Sequence, residues 1–178
     1  DYDKFKNFWF ESTPHVDQAI HDQFADIYQN AIAGKLNTLL ETPEGSLALV
    51  ILLDQFSRNM YRGTQKAFGS DQKALMVSRE ALAKGFDKKL LPTQRMFLYL
   101  PFEHSEDVED QQKSVELFKS LGNDHIFQYA LDHQKIIEQF GRFPHRNAIL
   151  GRESTLDEIN FLKNTENAGF GQNLTAPN

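Results

Sequence analysis

The sequence predicts an all-α protein, a compact bundle of antiparallel helix pairs. Three observations predict it. No segment alternates apolar and polar residues with period two over a strand length. Apolar residues instead recur three and four positions apart along most of the chain. The segments so marked begin at Ser, Thr, Asn or Pro and stop at Gly, the punctuation of helices joined by short turns. At 178 residues the chain fits one domain. We place that domain at residues 1–163 and a loosely ordered tail, rich in Asn, Gly and Thr, at 164–178.

Tyr2 to Phe10 suits a short helix with Phe5, Phe8 and Trp9 inward. Ser12-Thr13-Pro14 starts the next helix, with Val16, Ala19, Ile20, Phe24, Ile27 and Ala31 on one face and Gly34 as its stop. The turn Thr42 to Gly45 leads into a central helix over Leu47 to Arg62. That stretch starts almost wholly apolar, so the helix should be buried nearly all round, with Ala48, Leu49, Leu52, Leu53 and Phe56 inside. Ser70-Asp71 caps a helix closed by Gly85. Pro92 opens another, which Pro101 should kink or end near Tyr99 to Leu100. Val108 to Leu121 is amphipathic and stops at Gly122. Asn123 or Asp124 begins a helix reaching Phe140. Gly141 to Arg152 is irregular, and Thr155 to Glu158 is a capping box for a last helix.

Composition excludes several classes of function. The chain has no cysteine, so disulfides and thiolate metal sites are absent. That suits a reducing, cytoplasmic compartment. The net charge is −6, without a basic run, which disfavours nucleic acid. No apolar stretch is long enough to span a membrane. The first ten residues are too polar and aromatic for a signal peptide, and the lack of an initiator Met points to residues upstream. There is no H-E-x-x-H motif, and His104 and Glu106 do not share a helix face, so neither a metal nor another cofactor is expected.

The chemistry concentrates in three stretches. Asp54, Arg58 and Arg62 are four apart and form one stripe on a helix, with Asn59 beside them. Five of the seven arginines lie in two short segments, Arg58 and Arg62 in one, Arg142, Arg146 and Arg152 in the other. Both segments mix arginine with core-like residues such as Phe56, Phe143, Ile149 and Leu150. A guanidinium fork in such a setting suits bidentate recognition of a carboxylate or phosphate. His145 and Asn147 add hydrogen-bonding groups. The third stretch, Pro101 to Glu106, carries His104, Ser105, Glu103 and Glu106 after the proline. Arg79 and Arg95, His15, His21, His125 and His133, and the helix start Asp107 to Gln112 read as solvated or half-buried surface. Ser105 beside His104, with His145 elsewhere, is a weak hydrolase triad, lacking a G-x-S-x-G elbow.

These stretches also resemble a known family, the bacterial domain of unknown function 924. The matching residues run from Leu52 to Gly63 (LLDQFSRNMYRG), Phe97 to Glu106 (FLYLPFEHSE) and Phe140 to Thr155 (FGRFPHRNAILGREST). Pro43-Glu44-Gly45 and Phe68-x-x-Asp71 fit as well. The likeness covers most of the chain, roughly Trp9 to Phe170; family members usually carry an additional segment before the Trp9-Phe10 pair. It implies a tetratricopeptide-repeat-like helical fold and no particular reaction. The residues show no clear 34-residue repeat.

Three functional readings follow. In the first, Arg58, Arg62, Arg142, Arg146 and Arg152 line a cleft for an anionic small molecule or a peptide carboxylate. Asp54 and Glu106 orient them, and Asn59, His104, His145 and Asn147 contribute hydrogen bonds. In the second, Asp54, Glu103 and Glu106 neutralise the arginines in a buried network that holds a structural or interaction module together. In the third, an enzyme acts on an anionic substrate with His104 or His145 as acid–base.

Overall fold

The computed structural model describes residues 13–164, and every regular element among them is helical. The helix expected over Tyr2 to Phe10 and all but the first residue of the tail lie outside the described residues. Helix α1 (Pro14–Ile32) starts where Thr13 caps it, accepting from the Val16 amide at 3.2 Å. Its buried side chains are Tyr28 and Ala31; Val16 and Ile27, expected inside, are exposed.

Helix α2 (Pro43–Val50) runs through a π segment, Ile51–Phe56, into α3 (Ser57–Met60). This is the predicted central helix, begun four residues earlier and widened in the middle. Ala48 faces outward and Phe56 is half-buried, while Val50 takes an interior place. The extra residue in a π turn rotates everything after it relative to a plain helix, so an i, i+4, i+8 stripe does not stay straight. Arg62 lies beyond the helix end and points elsewhere than Arg58. Carbonyls in this region take side-chain donors: Ser70 Oγ reaches Leu53 O at 2.5 Å, and Ser57 Oγ and Arg58 Nη1 reach Asp54 O at 3.0 and 2.7 Å. Ser70 precedes α4 (Asp71–Ala83) and spends its hydroxyl on Leu53 and Tyr28, so it does not cap α4 as expected.

Gly45 in the first turn of α2 is required by space. A β-carbon there would collide with the carbonyl oxygen of Leu39 and lie 2.7 Å from Thr42 Oγ1, the cap of the same helix. Gly45→Ala is therefore expected to cost ~1–3 kcal/mol as overpacking against backbone, read as a lower midpoint in urea unfolding.

Helix α5 (Pro92–Glu103) does not stop at Pro101; it continues through it to His104, whose amide still reaches Leu100 O at 2.9 Å. A proline's φ is already helical, and burial of Leu98, Tyr99, Leu100 and Phe102 around it holds the last turn in place. Helices α6 (Val108–Lys119) and α7 (Asp124–Phe140) complete a run of neighbours joined by short connections, α4 on α5, α5 on α6, α6 on α7. Asn123 caps α7, and Gly141 ends it at φ 68°, a left-handed turn that favours glycine. The following loop holds a single turn, α8 (Asn147–Leu150), and leads to α9 (Leu156–Asn164). Both bonds of the predicted capping box are made: Glu158 N to Thr155 Oγ1 at 3.2 Å and Thr155 N to Glu158 Oε2 at 2.7 Å.

The main apolar core joins α1, α2, α4, α5 and α6. A smaller one gathers Ile136, Ile137 and Phe143 with Phe140 and Phe161. Polar side chains from the π segment, the end of α5, the middle of α7 and the loop before α8 gather beside these cores.

Candidate functional site

The site begins with Asp54, fully buried on the π segment. Its Oδ1 faces His104 Nδ1 at 2.8 Å and Arg58 Nη1 at 3.1 Å, and its Oδ2 accepts from Gln55. Burial alone would raise this carboxyl, but Arg58 and then His104 outweigh it and hold it well below the usual carboxylate range. Arg58 also grips Asp71 with both prongs, at 3.0 and 3.1 Å. Asp71 is shared: Arg146 Nη1 stands 3.7 Å from its Oδ2. Arg58 and Arg146, 88 positions apart in the chain, thus meet at one carboxylate.

Arg146 is unlike the other guanidinium groups. Its side chain is 7% exposed and stacked between Phe68 and Phe143, whose ring centres lie 4.9 and 4.5 Å from it. Among the described residues nothing accepts a hydrogen bond from it; the ion pair at 3.7 Å is too long for one, and Nε is sealed without a partner. Burial, reinforced by Arg58, pulls its pKa down to about 10, still charged at neutral pH.

The remaining members link these groups into a closed ring. The His104 and His133 rings are 6.4 Å apart, His133 and Phe143 5.6 Å, and Phe143 leads back to Arg146. Phe143 also stacks on His145 at 5.5 Å. His133, expected on a wet or half-buried face, is buried; its Nδ1–H donates to Tyr129 O at 2.8 Å. Burial pushes both His133 and His145 down to about 3, so both are neutral imidazoles. Burial also lowers His104, against the pull of Asp54. Glu103 stands 3.8 Å from His133, with Oε2 buried and unpartnered. Burial, and then Asp54, push it up to about 8, so it is an uncharged acid and neutralises no arginine.

The other predicted residues lie in separate ion pairs. Arg62 holds Asp17 at 2.7 and 3.1 Å, and Asn59 joins the same carboxylate at 2.8 Å. Arg142 holds Glu158 at 2.6 and 2.9 Å beside a groove lined by Gln139, Phe140, Thr155 and Asp157. Arg152 holds Glu106 at 2.7 and 3.0 Å, and Glu106 also receives the Phe143 amide at 2.8 Å. Asn147 donates to Ser154 at 3.0 Å. Ser105 gives its hydroxyl to Asp110 at 2.7 Å, which removes it from any triad with the histidines. Asp110 and Gln111, expected at a solvated helix start, are buried: Arg79 and Ser105 hold Asp110, and Gln111 Nε2 reaches Glu103 O and Ser105 O, both at 2.7 Å.

Sequence reasoning missed Asp71, Phe68, Phe143 and His133 as members of the cluster. The Phe68-x-x-Asp71 spacing was a usable signal for the first two, since it places both near the start of one helix. Nothing in the sequence marks His133. No group of His and carboxylate side chains among the described residues could hold a metal ion, and no described helix is long and apolar enough to cross a membrane.

The fold has a close relative among solved structures. A protein of unknown function from Agrobacterium tumefaciens is 41% identical, superposes with a TM-score of 0.85, and is matched over 88% of this chain and 89% of its own. No curated protein matches the chain. The family described as "Bacterial protein of unknown function (DUF924)" matches residues 1–166, and this chain belongs to it.

Proposed function

We propose that the protein binds an anionic group of a small molecule or a peptide carboxylate at Arg146, with Arg58 and His104 beside it. One observation carries this reading: a charged guanidinium, nine-tenths buried, to which no described residue offers a hydrogen-bond acceptor. Unfilled donors of a buried charge cost several kcal/mol, on the order of the penalty of a broken buried ion pair. Nε is sealed, so a visiting carboxylate or phosphate would meet the Nη groups, from which no described residue accepts a hydrogen bond. The two phenyl rings flank the planar fork and hold it in place, which lowers the ordering cost of recognition.

The second reading, internal glue, is supported for a different set of residues. Arg62, Arg142 and Arg152 each have their fork closed on a protein carboxylate. They tie α1 to the end of α3, and the loop after α7 to α9 and to the end of α5. We assign them to holding those segments together, and leave the ligand to the ring around Arg146.

Calorimetric titration at pH 7 with phosphate, acetate and a short acidic peptide tests the binding reading. Heat of binding to the wild type for at least one of them, absent in Arg146→Met and retained in Arg142→Met, is the expected result. Equal binding by Arg146→Met, or none by the wild type, contradicts it.

A further inference from the structure

We infer that the anion taken at Arg146 carries its own O–H group, as a hydroxycarboxylate or a hydrogen phosphate does, and donates a hydrogen bond through it to His104 Nε2. The inference rests on the anion-binding reading and names its ligand class. It starts from the tautomer of His104. The neighbouring Asp54 Oδ1 lies 2.8 Å from His104 Nδ1. Asp54 is ionised between Arg58, Gln55 and His104, so it can only accept, and the hydrogen must sit on Nδ1. The ring is neutral because burial resists a second proton. Nε2 is therefore a lone pair, a hydrogen-bond acceptor. No described residue donates to it, and the side chain keeps 16% of its surface exposed.

Arg146 and His104 belong to the same closed ring of contacts, and the charge of Arg146 reaches the His104 imidazole. One arc runs from Arg146 through Asp71 and Arg58 to Asp54 and His104. The other runs from Arg146 through Phe143 and His133 to the same His104. Arg146 offers only donors and His104 Nε2 only an acceptor. A plain carboxylate or sulfate, lacking an O–H to donate, satisfies the first and leaves the second empty. An oxyanion with an O–H satisfies both. Sites that need a donor from the ligand discriminate strongly against analogues without one, because an unfilled buried acceptor is left behind.

The test compares matched ligands by calorimetry at pH 7: lactate against propionate, and phosphate against sulfate. At least about tenfold tighter binding of the O–H-bearing member in one pair supports the inference; the pair that discriminates tells a hydroxy acid from a phosphate. The preference is expected to shrink to within about twofold in His104→Phe. The ¹⁵N resonance of His104 Nε2 in the wild type should move upfield with lactate or phosphate and stay still with propionate or sulfate, a readout independent of how that variant folds. Equal affinity within both pairs overturns the inference and leaves anion binding standing. Absence of binding by all four overturns both.

Discussion

Arg58→Met is expected to lower the stability of the protein by about 3–5 kcal/mol, the cost of stranding buried carboxylates. Arg58 touches Asp54 through both its carboxylate and its carbonyl, and closes a two-pronged pair with Asp71. Methionine fills the volume but answers neither charge. Arg146 stands 3.7 Å from Asp71 and makes no ion pair with Asp54, so it is badly placed to substitute. Urea unfolding at pH 7 measures the loss. Arg58→Met,Asp54→Asn should recover part of it, since the amide removes the charge left behind. A loss under about 1 kcal/mol would show that Arg58 does not hold these acids in the folded state.

Glu103→Gln is expected to flatten the alkaline side of the pH–stability curve. Glu103 titrates near 8 in the folded protein against an ordinary 4.5. A carboxyl with a raised folded pKa contributes fully below 4.5, and its contribution is lost as pH rises towards 8. Between pH 5 and 8 the wild type should lose on the order of 3 kcal/mol through this group. Glutamine cannot ionise, so the variant should be more stable than the wild type at pH 8 and close to it at pH 5. The histidines act oppositely. His133 and His145 titrate near 3 when folded and near 6.5 when unfolded. Their contribution is intact above 6.5 and is lost as pH falls from there towards 3. For these three groups taken together, the two trends cross near pH 6.5. Parallel curves for wild type and Glu103→Gln from pH 6.5 to 8.5 would mean that Glu103 is already ionised in the native state.

The helices were legible because their ends are written locally. Thr13-Pro14, Pro92, Asn123 and Thr155-x-x-Glu158 each act within one turn, and no distant contact is needed to read them. The π segment was not legible. Ile51 to Phe56 is largely apolar, like an ordinary buried helix, and the side chains that take its Leu53 and Asp54 carbonyls, Ser57, Arg58 and Ser70, are identified only by the fold. The Asp54–Arg58 pair survives the wide turn, and the stripe breaks at Arg62 because the helix ends at Met60.

At the site, the concentration of arginines in two segments announced the meeting of Arg58 with Arg146. Their partners were another matter. Asp17, Asp71 and Glu158 look like ordinary first-turn acids, a common surface pattern. Only packing decides that each closes an arginine fork. The same holds for Glu103 and His133: an acid at the end of one helix and an imidazole in the middle of another become uncharged only because the chain buries them together.

In the proposed reading Arg146 is kept for a visitor, and not for the fold. The melting temperature of Arg146→Met in buffer free of binding anions tests this most directly. Replacing a buried charge, from which no described residue accepts a hydrogen bond, with an apolar side chain between two phenyl rings should leave the melting temperature equal to or above that of the wild type. A fall as deep as that of Arg58→Met would contradict the account, because Arg146 would then be a structural member of the ring.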